Sequence, residues 1–264
     1  VIISTLHNHT THSDGKNSIA ETVKAALDKG FNSVGISDHA QTHLYNVSMK
    51  KDGFAKYLAD ICAAAALYPQ IEVYAGIENE YCDWYDTAGL DYVIGSVHYL
   101  EHGGEFYCVD SRVEKFERLT ANVPDYVNQY YNCLAEMAVK QKPDIIGHFD
   151  ILMKNNAGYR FFDTRTVEYM NAVRGALDAI AKTDCIIEVN TGAMARGTYN
   201  CQYPETHILA EIRKMGIPVC VNSDAHSAEH IDYAFPEMAR LLLDLGFTHT
   251  RHLIGGKFKD VGLE

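Results

Sequence analysis

Short runs of apolar, often β-branched residues alternate along this chain with longer stretches in which apolar positions recur every three or four residues. The first pattern predicts buried strands and the second predicts amphipathic helices. Strands are expected over Val1–Ile3, Ser33–Ser37, Ile71–Ile77, Tyr92–Val97, Asp144–Gly147, Cys185–Asn190 and Ile217–Ser223. Ser18-Ile19-Ala20-Glu21 is a capping box that opens a helix running to Lys29, and Gly30 supplies its stop. Further helices are expected over 52–67, 124–140, 165–182, 205–215 and 236–245, with Pro69 and Gly216 as punctuation. The stretches 99–122 and 149–163 read as long connections, which in a compact domain are usually functional or partly helical. The tail beyond residue 245 follows neither pattern clearly.

Strands that alternate with helices imply a parallel α/β sheet. An open, doubly wound sheet gathers ligands at one switch point from two or three loops, whereas a closed barrel brings every strand end around one centre. Here six of the seven expected strands lead into a His, Asp or Glu: His7 and His9, His39, Glu80, His98, His148, and Asp224 with His226. The expectation is therefore a distorted (β/α)7 barrel with its site at the C-terminal ends of the strands. No Pro/Gly/Ser-rich tract, charge block or internal repeat divides the chain, so residues 1–264 are read as a single domain.

Composition narrows the partners. A formal net charge of −12 argues against nucleic acid, whose binding draws on clustered Lys and Arg. The expected partner is a small molecule. No apolar run approaches the roughly 18 residues of a membrane span, and the first residues lack a basic, cleavable leader, so a cytoplasmic location without membrane contact is expected. Seven cysteines with no C-x-x-C spacing fit reduced thiols.

Residues two apart on a strand point to one face, so His7-Asn8-His9 aims two imidazoles at one spot, an arrangement suited to a metal. The donor set His7, His9, Asp14, His39, Glu80, His98, His148, Asp224 and His226 exceeds what one ion can use. Two or three divalent ions are implied, with Glu80 as the bridging carboxylate, and the mixture of imidazole and carboxylate favours Zn, Fe or Mn.

The succession H-N-H-T-x-x-S-D-G (7–15), S-D-H (37–39), Glu80, G-S-V-H (95–98), G-H-F-D (147–150) and S-D-A-H (223–226) resembles the polymerase and histidinol phosphatase superfamily of metallophosphoesterases. The segments D-I-I-G-H-F-D-I-L, E-V-N-T-G followed by Y-P, and G-I-P-V-x-x-N-S-D-A-H resemble its histidinol-phosphate phosphatase branch. The resemblance implies one ion held by His7, His9, Glu80 and Asp224, a second by His98, His148 and Glu80, and a third by Asp14, His39 and His226. His12 competes with Asp14 for the last position, and the S-D-G spacing favours Asp14. The implied reaction is hydrolysis of L-histidinol phosphate by in-line attack of a hydroxide shared between ions. Asp224, Glu80 and His226 are the catalytic candidates, with Asp224 orienting the nucleophile or relaying its proton.

Phosphate also calls for donors other than metal, and the planar fork of Arg suits its oxygens. Arg160 and Arg196 follow strand ends and are expected to hold the phosphate, with His43 as a further contact. Asp83, Glu101 and Asp110 are equal candidates for meeting the amine of such a substrate. Competing readings are a phosphoesterase for another small phosphate or a nucleotide, an amidohydrolase-like C–N hydrolase, and a non-catalytic metal-holding module. The amidohydrolase reading suffers from a Glu where a carbamylated Lys is usual.

Overall fold

The computed structural model describes residues 1–264. Its strands are β1 (Ser4–Thr5), β2 (Ser33–Ile36), β3 (Glu72–Ala75), β4 (Glu78–Glu80), β5 (Ile94–Ser96), β6 (Tyr99–His102), β7 (Glu105–Cys108), β8 (Ile145–Ile146), β9 (Ile186–Asn190), β10 (Val219–Asn222), β11 (His249–Ile254) and β12 (Lys257–Gly262). The helices are α1 (Ile19–Asp28), α2 (Phe54–Leu67), α3 (Val113–Asn122), α4 (Tyr126–Lys140), α5 (Val167–Ile180), α6 (Gly192–Ala195), α7 (Thr206–Met215) and α8 (Phe235–Asp244). The capping box forms as expected: Ser18 Oγ accepts from the Glu21 amide at 3.3 Å and Glu21 accepts from the Ser18 amide at 2.7 Å. No helix is long and apolar enough to cross a membrane.

The parallel strands form two sheets, β1-β2-β3 and β10-β9-β8-β5-β4, in place of one continuous closed ladder. Single bridges join them, His39 to Glu78 on one side and Asn8 to Ala225 on the other. The segment expected as one strand over Ile71–Ile77 breaks at Gly76, where Tyr92 fills the space: a Cβ on Gly76 would lie 2.1 Å from that ring. The first strand sits later than its apolar run suggests, at Ser4–Thr5, because β1 takes its register from β2, with Ser4 opposite Ser33.

Two hairpins occupy stretches that have no assigned element in the sequence reading. Gly103-Gly104 joins β6 to β7 and Gly255-Gly256 joins β11 to β12, all four glycines at positive φ, the backbone that tight two-residue turns demand. The first hairpin and α3 together account for most of the connection 99–122. The second accounts for the tail.

Two apolar cores hold the fold. The larger lies between the sheets and the helices that cover them. The smaller, built on Leu6, Tyr74, Tyr92, Ile94, Ile145, Ile186, Cys220 and Leu253, is enclosed by the strands themselves. Leu6, Tyr74, Ile94, Ile145 and Cys220 sit one to four positions before His7, Glu78, His98, His148 and Asp224, so this plug forms the base on which the site rests.

Candidate metal centre

β4 starts with Glu78, level with His39 of the neighbouring strand end. This carboxylate is fully buried, and five histidine rings surround it. Its Oε1 lies 2.9 Å from His148 Nε2 and 3.4 Å from His98 Nε2, and it accepts from Ser96 Oγ at 2.7 Å. Its Oε2 lies 2.8 Å from His39 Nδ1, 3.4 Å from His7 Nε2 and 3.5 Å from His9 Nε2. Glu80, expected in this place, is two residues further along the strand, about 6.6 Å at the usual rise. It accepts instead from the His98 amide at 3.1 Å and from His98 Nδ1 at 3.0 Å, so it orients an imidazole from behind. Glu80 also accepts from the Cys82 amide, which fastens it to the turn after β4. The central position belongs to Glu78, because the strand restarts after the Gly76 break with Glu78 at its first residue.

The donors gather into three groups, two of which share His9: His7, His9 and Asp224; Glu78, His98 and His148; and His9, Asp14, His39 and His226. Within each group the candidate ligand atoms lie within 4.8 Å of one another. His7 Nε2, His9 Nε2 and Glu78 Oε2 are buried without a hydrogen bond. Buried polar atoms are seldom left so, and three of them converging on one space is what a shared cation resolves. The residues present therefore fit divalent ions. Asp14 reaches this space, 3.2 Å from His226 Nε2 and 3.5 Å from His9 Nδ1. His12 points away, 2.9 Å from Asp60 on α2. The turn that presents Asp14 is tied down by Asp38, which accepts from the Thr10 amide at 2.8 Å and from Ser13 Oγ at 2.6 Å.

Behind the histidines stands a residue absent from the candidate set. Glu188, fully buried in the middle of β9, accepts from His7 Nδ1 at 2.7 Å, from the His148 amide at 2.9 Å, from Asn190 Nδ2 at 2.8 Å and from Asn222 Nδ2 at 2.9 Å. A carboxylate on the far nitrogen of a metal-facing histidine fixes the ring's tautomer and direction. Its sequence signal is a Glu inside an otherwise apolar strand, which cannot be buried without partners.

Electrostatics follow from this crowding. Burial works against charge on His7, yet Glu188, Glu78 and Asp224 outweigh it and raise its pKa. His9, buried and beside His226 and His39, falls to about 4. Burial opposes ionisation of Glu78, but His39, His7 and His98 hold it well below the usual carboxylate range. Burial is likewise overcome at Asp224, by Arg196 first and His7 next.

Arg196 clamps the end of β10. Its Nη1 donates to the Asp224 carbonyl at 2.8 Å, and its Nη2 donates to Asp224 Oδ2 at 3.0 Å. Asp224 sits at φ +46°, and these bonds help to hold a backbone that a non-glycine residue rarely adopts. His226 Nδ1 lies 3.0 Å from Arg196 Nη1.

A cavity of about 410 Å³ opens above the clusters, with Tyr45, Tyr99, Asp110, Lys154, Arg196 and Tyr203 on its walls. Arg160 and His43 are not among its lining residues. Arg160 lies on the surface, 55% exposed, ion-paired with Glu117 and stacked 4.8 Å over Phe161. Its connection winds into two short 3-10 turns, Ile151–Asn155 and Ala157–Tyr159, which turn Lys154 inward and carry Arg160 past the rim. His43 is 68% exposed and bound to Asp83 at 2.7 Å. Asp110 is pushed up by burial but brought down to about 2 by Lys154 and His98.

Comparison with known proteins agrees with this geometry. Residues 5–192 match the PHP domain family model. The histidinol-phosphatase of Bacillus subtilis (strain 168) is 26% identical over 244 residues, covering 82% of this chain and 90% of that protein. Among solved structures, a candidate histidinol phosphatase of Listeria monocytogenes superposes with a TM-score of 0.77 at 19% identity, over 89% of this chain and 99% of that one. The histidinol phosphate phosphatase of Lactococcus lactis subsp. lactis Il1403, solved with Zn, L-histidinol and phosphate, superposes with a TM-score of 0.70 at 18% identity, over 97% of this chain and 98% of that one. With the family model spanning most of the chain and the buried donor clusters in place, this protein belongs to the PHP domain family.

Proposed function

We propose that this chain is a metal-dependent phosphomonoesterase that hydrolyses L-histidinol phosphate to L-histidinol and phosphate. The observation that carries the reading is the convergence of three donor clusters on Glu78 at the floor of a cavity whose walls present Arg196 and Lys154. The names of its relatives supply the substrate. We read the two sheets, with their two bridges and their enclosed apolar plug, as a distorted (β/α)7 barrel interrupted at Gly76.

His7, His9 and Asp224 would hold one ion, Glu78, His98 and His148 a second, and Asp14, His39 and His226 a third, with Glu78 between them. Zn, Fe or Mn suit these donors. Such ions supply Lewis acidity, which makes water nucleophilic near neutral pH and offsets charge on phosphoryl oxygens. The chain's own residues do the rest. Asp224, its second oxygen held by Arg196, would orient the reacting water or relay its proton. Glu188 and Glu80 keep His7 and His98 in the required orientation. Arg196 and Lys154 receive the phosphoryl oxygens, and the cavity walls limit water around the leaving group.

The test is phosphate release by protein loaded separately with Zn and Mn, from histidinol phosphate, a mononucleotide and an aryl phosphate. A preference for histidinol phosphate of at least about a hundredfold in kcat/KM, abolished by chelation, is expected, since a pocket built to meet a polar group discriminates that strongly. Equal or better turnover of the mononucleotide would transfer the assignment to a nucleotide phosphoesterase.

A further inference from the structure

Four carboxylates line the cavity: Asp14, Glu78, Asp110 and Asp224. Three belong to the donor clusters, and Asp110 does not. A phosphate ester is an anion, and a carboxylate beside its site repels it unless some other part of the ligand is cationic. Asp110 thus calls for an explanation that phosphate binding alone does not supply.

Its surroundings provide one. The Asp110 side chain is 24% exposed, and Lys154 Nζ donates to its Oδ2 from 3.4 Å, at the long limit of a hydrogen bond. Its Oδ1 receives only the Cys108 thiol, a weak donor, at 3.3 Å. The carboxylate is therefore fixed in place but loosely paired. The placement comes from the β6–β7 hairpin, where Cys108 is paired opposite Tyr99 and the Val109 amide donates to the His98 carbonyl at 2.9 Å. That pairing sets Asp110 two residues beyond Cys108, on the same wall as the His98 cluster. Tyr45 and Tyr99 line the cavity beside it, stacked 5.9 Å apart with planes 7° from parallel, which offers a flat leaving group an aromatic surface. The other acids that might meet a cation are otherwise placed. Asp83 is held by Thr42 and His43, and Glu101 is exposed on the outer half of β6, outside the cavity lining.

We propose that Asp110 is the specificity-determining residue that receives an ammonium group on the leaving alcohol, taking it in exchange for Lys154, which is then free to turn to the phosphoryl oxygens. The inference rests on the phosphatase reading above and assigns the residue by which the cavity would tell an amino-alcohol ester from one without the amine.

The experiment compares wild type with Asp110→Asn, an isosteric change, on L-histidinol phosphate and on the same ester lacking its amine, with metal content measured for both proteins. The variant should lose about 10- to 100-fold in kcat/KM on the amino ester, the range for one hydrogen bond to a charged group, and change little on the des-amino ester. Equal losses on both esters overturn the proposal, since a residue that only anchors Lys154 or the hairpin does not distinguish them. Calorimetric binding of the free amino alcohol and of its des-amino analogue to metal-loaded protein gives an independent reading. Tighter binding of the amino alcohol by wild type, lost in Asp110→Asn, supports the proposal even where turnover fails and the phosphatase reading falls. Equal binding of the two alcohols by wild type overturns the proposal even where phosphate is released.

Discussion

The floor and the rim of the cavity are built on opposite principles. On the floor, His7, His9, Glu78 and His148 are at most 2% exposed, and Glu188 and Ser96 hold His7 and Glu78 from behind at 2.7 Å. On the rim, Asp110, Lys154 and Arg196 are about a quarter to a third exposed, and the Asp110–Lys154 contact is as long as 3.4 Å. The floor comes from strand ends whose backbone is locked by parallel ladders, whereas the rim comes from a hairpin, a 3-10 turn and the four-residue helix α6. A rigid floor suits ions that demand fixed geometry, and a loose rim suits a ligand that must enter, turn and leave. Rigidity in this site follows the source of each residue more than its distance from the centre.

The largest effect should separate the two acids of β4. Glu78→Gln removes a charge that faces five histidines, and it should strip bound metal and reduce turnover by about 10³ or more, beyond what loss of a single polar contact costs. Glu80→Gln keeps an acceptor for His98 Nδ1 and should cost about 10- to 100-fold in metal affinity or rate. Elemental analysis of both variants decides between them. Full metal in Glu78→Gln with depletion in Glu80→Gln would return the bridging role to Glu80 and remove Glu78 from the centre of the floor.

A smaller effect probes whether the floor depends on what lies beneath it. Glu188→Gln can still accept from His7 but no longer balances the charge that His7 shares with its ligand. A 10- to 100-fold fall in metal affinity is expected, read by competition with a chromogenic chelator. Unchanged affinity together with unchanged folding would reduce Glu188 to a buried polar residue satisfied by Asn190 and Asn222.

What could be read in the amino-acid order divides along the same line. A histidine at a strand exit has its direction set by period-two geometry, so His7, His9, His39, His98 and His148 are visible as a convergent set before any coordinates. Glu78 and Glu80 share that period, and which one is central depends on where the strand restarts, a matter of Tyr92 filling the space at Gly76. Glu188 carried a signal, a charge inside an apolar strand, but no residue next to it names its partner 181 positions away. The rim is less legible still. Its side chains are aimed by hairpin and 3-10 geometry, where a shift of a few residues in a connection changes which side chain faces inward.

Arg160 is the sharpest case of that limit, and it yields the smallest expected effect. By its place after a strand end alone, Arg160 is as suited to phosphate as Arg196. The two differ in surroundings: Arg196 reaches Asp224 and His226, while Arg160 lies on the surface against Glu117 and Phe161. An exposed ion pair of this kind contributes about 0 to 1 kcal/mol, and the stacking over Phe161 adds a similar amount at an exposed site. Arg160→Ala should therefore leave kcat and KM for histidinol phosphate within about twofold of wild type and lower the unfolding free energy by no more than about 1 to 2 kcal/mol. Loss of turnover by orders of magnitude at unchanged stability and metal content would mean that the 151–159 turns refold around substrate and swing Arg160 inward. The rim would then be mobile enough to recruit residues that lie outside the cavity, and its contrast with the rigid floor would be larger still.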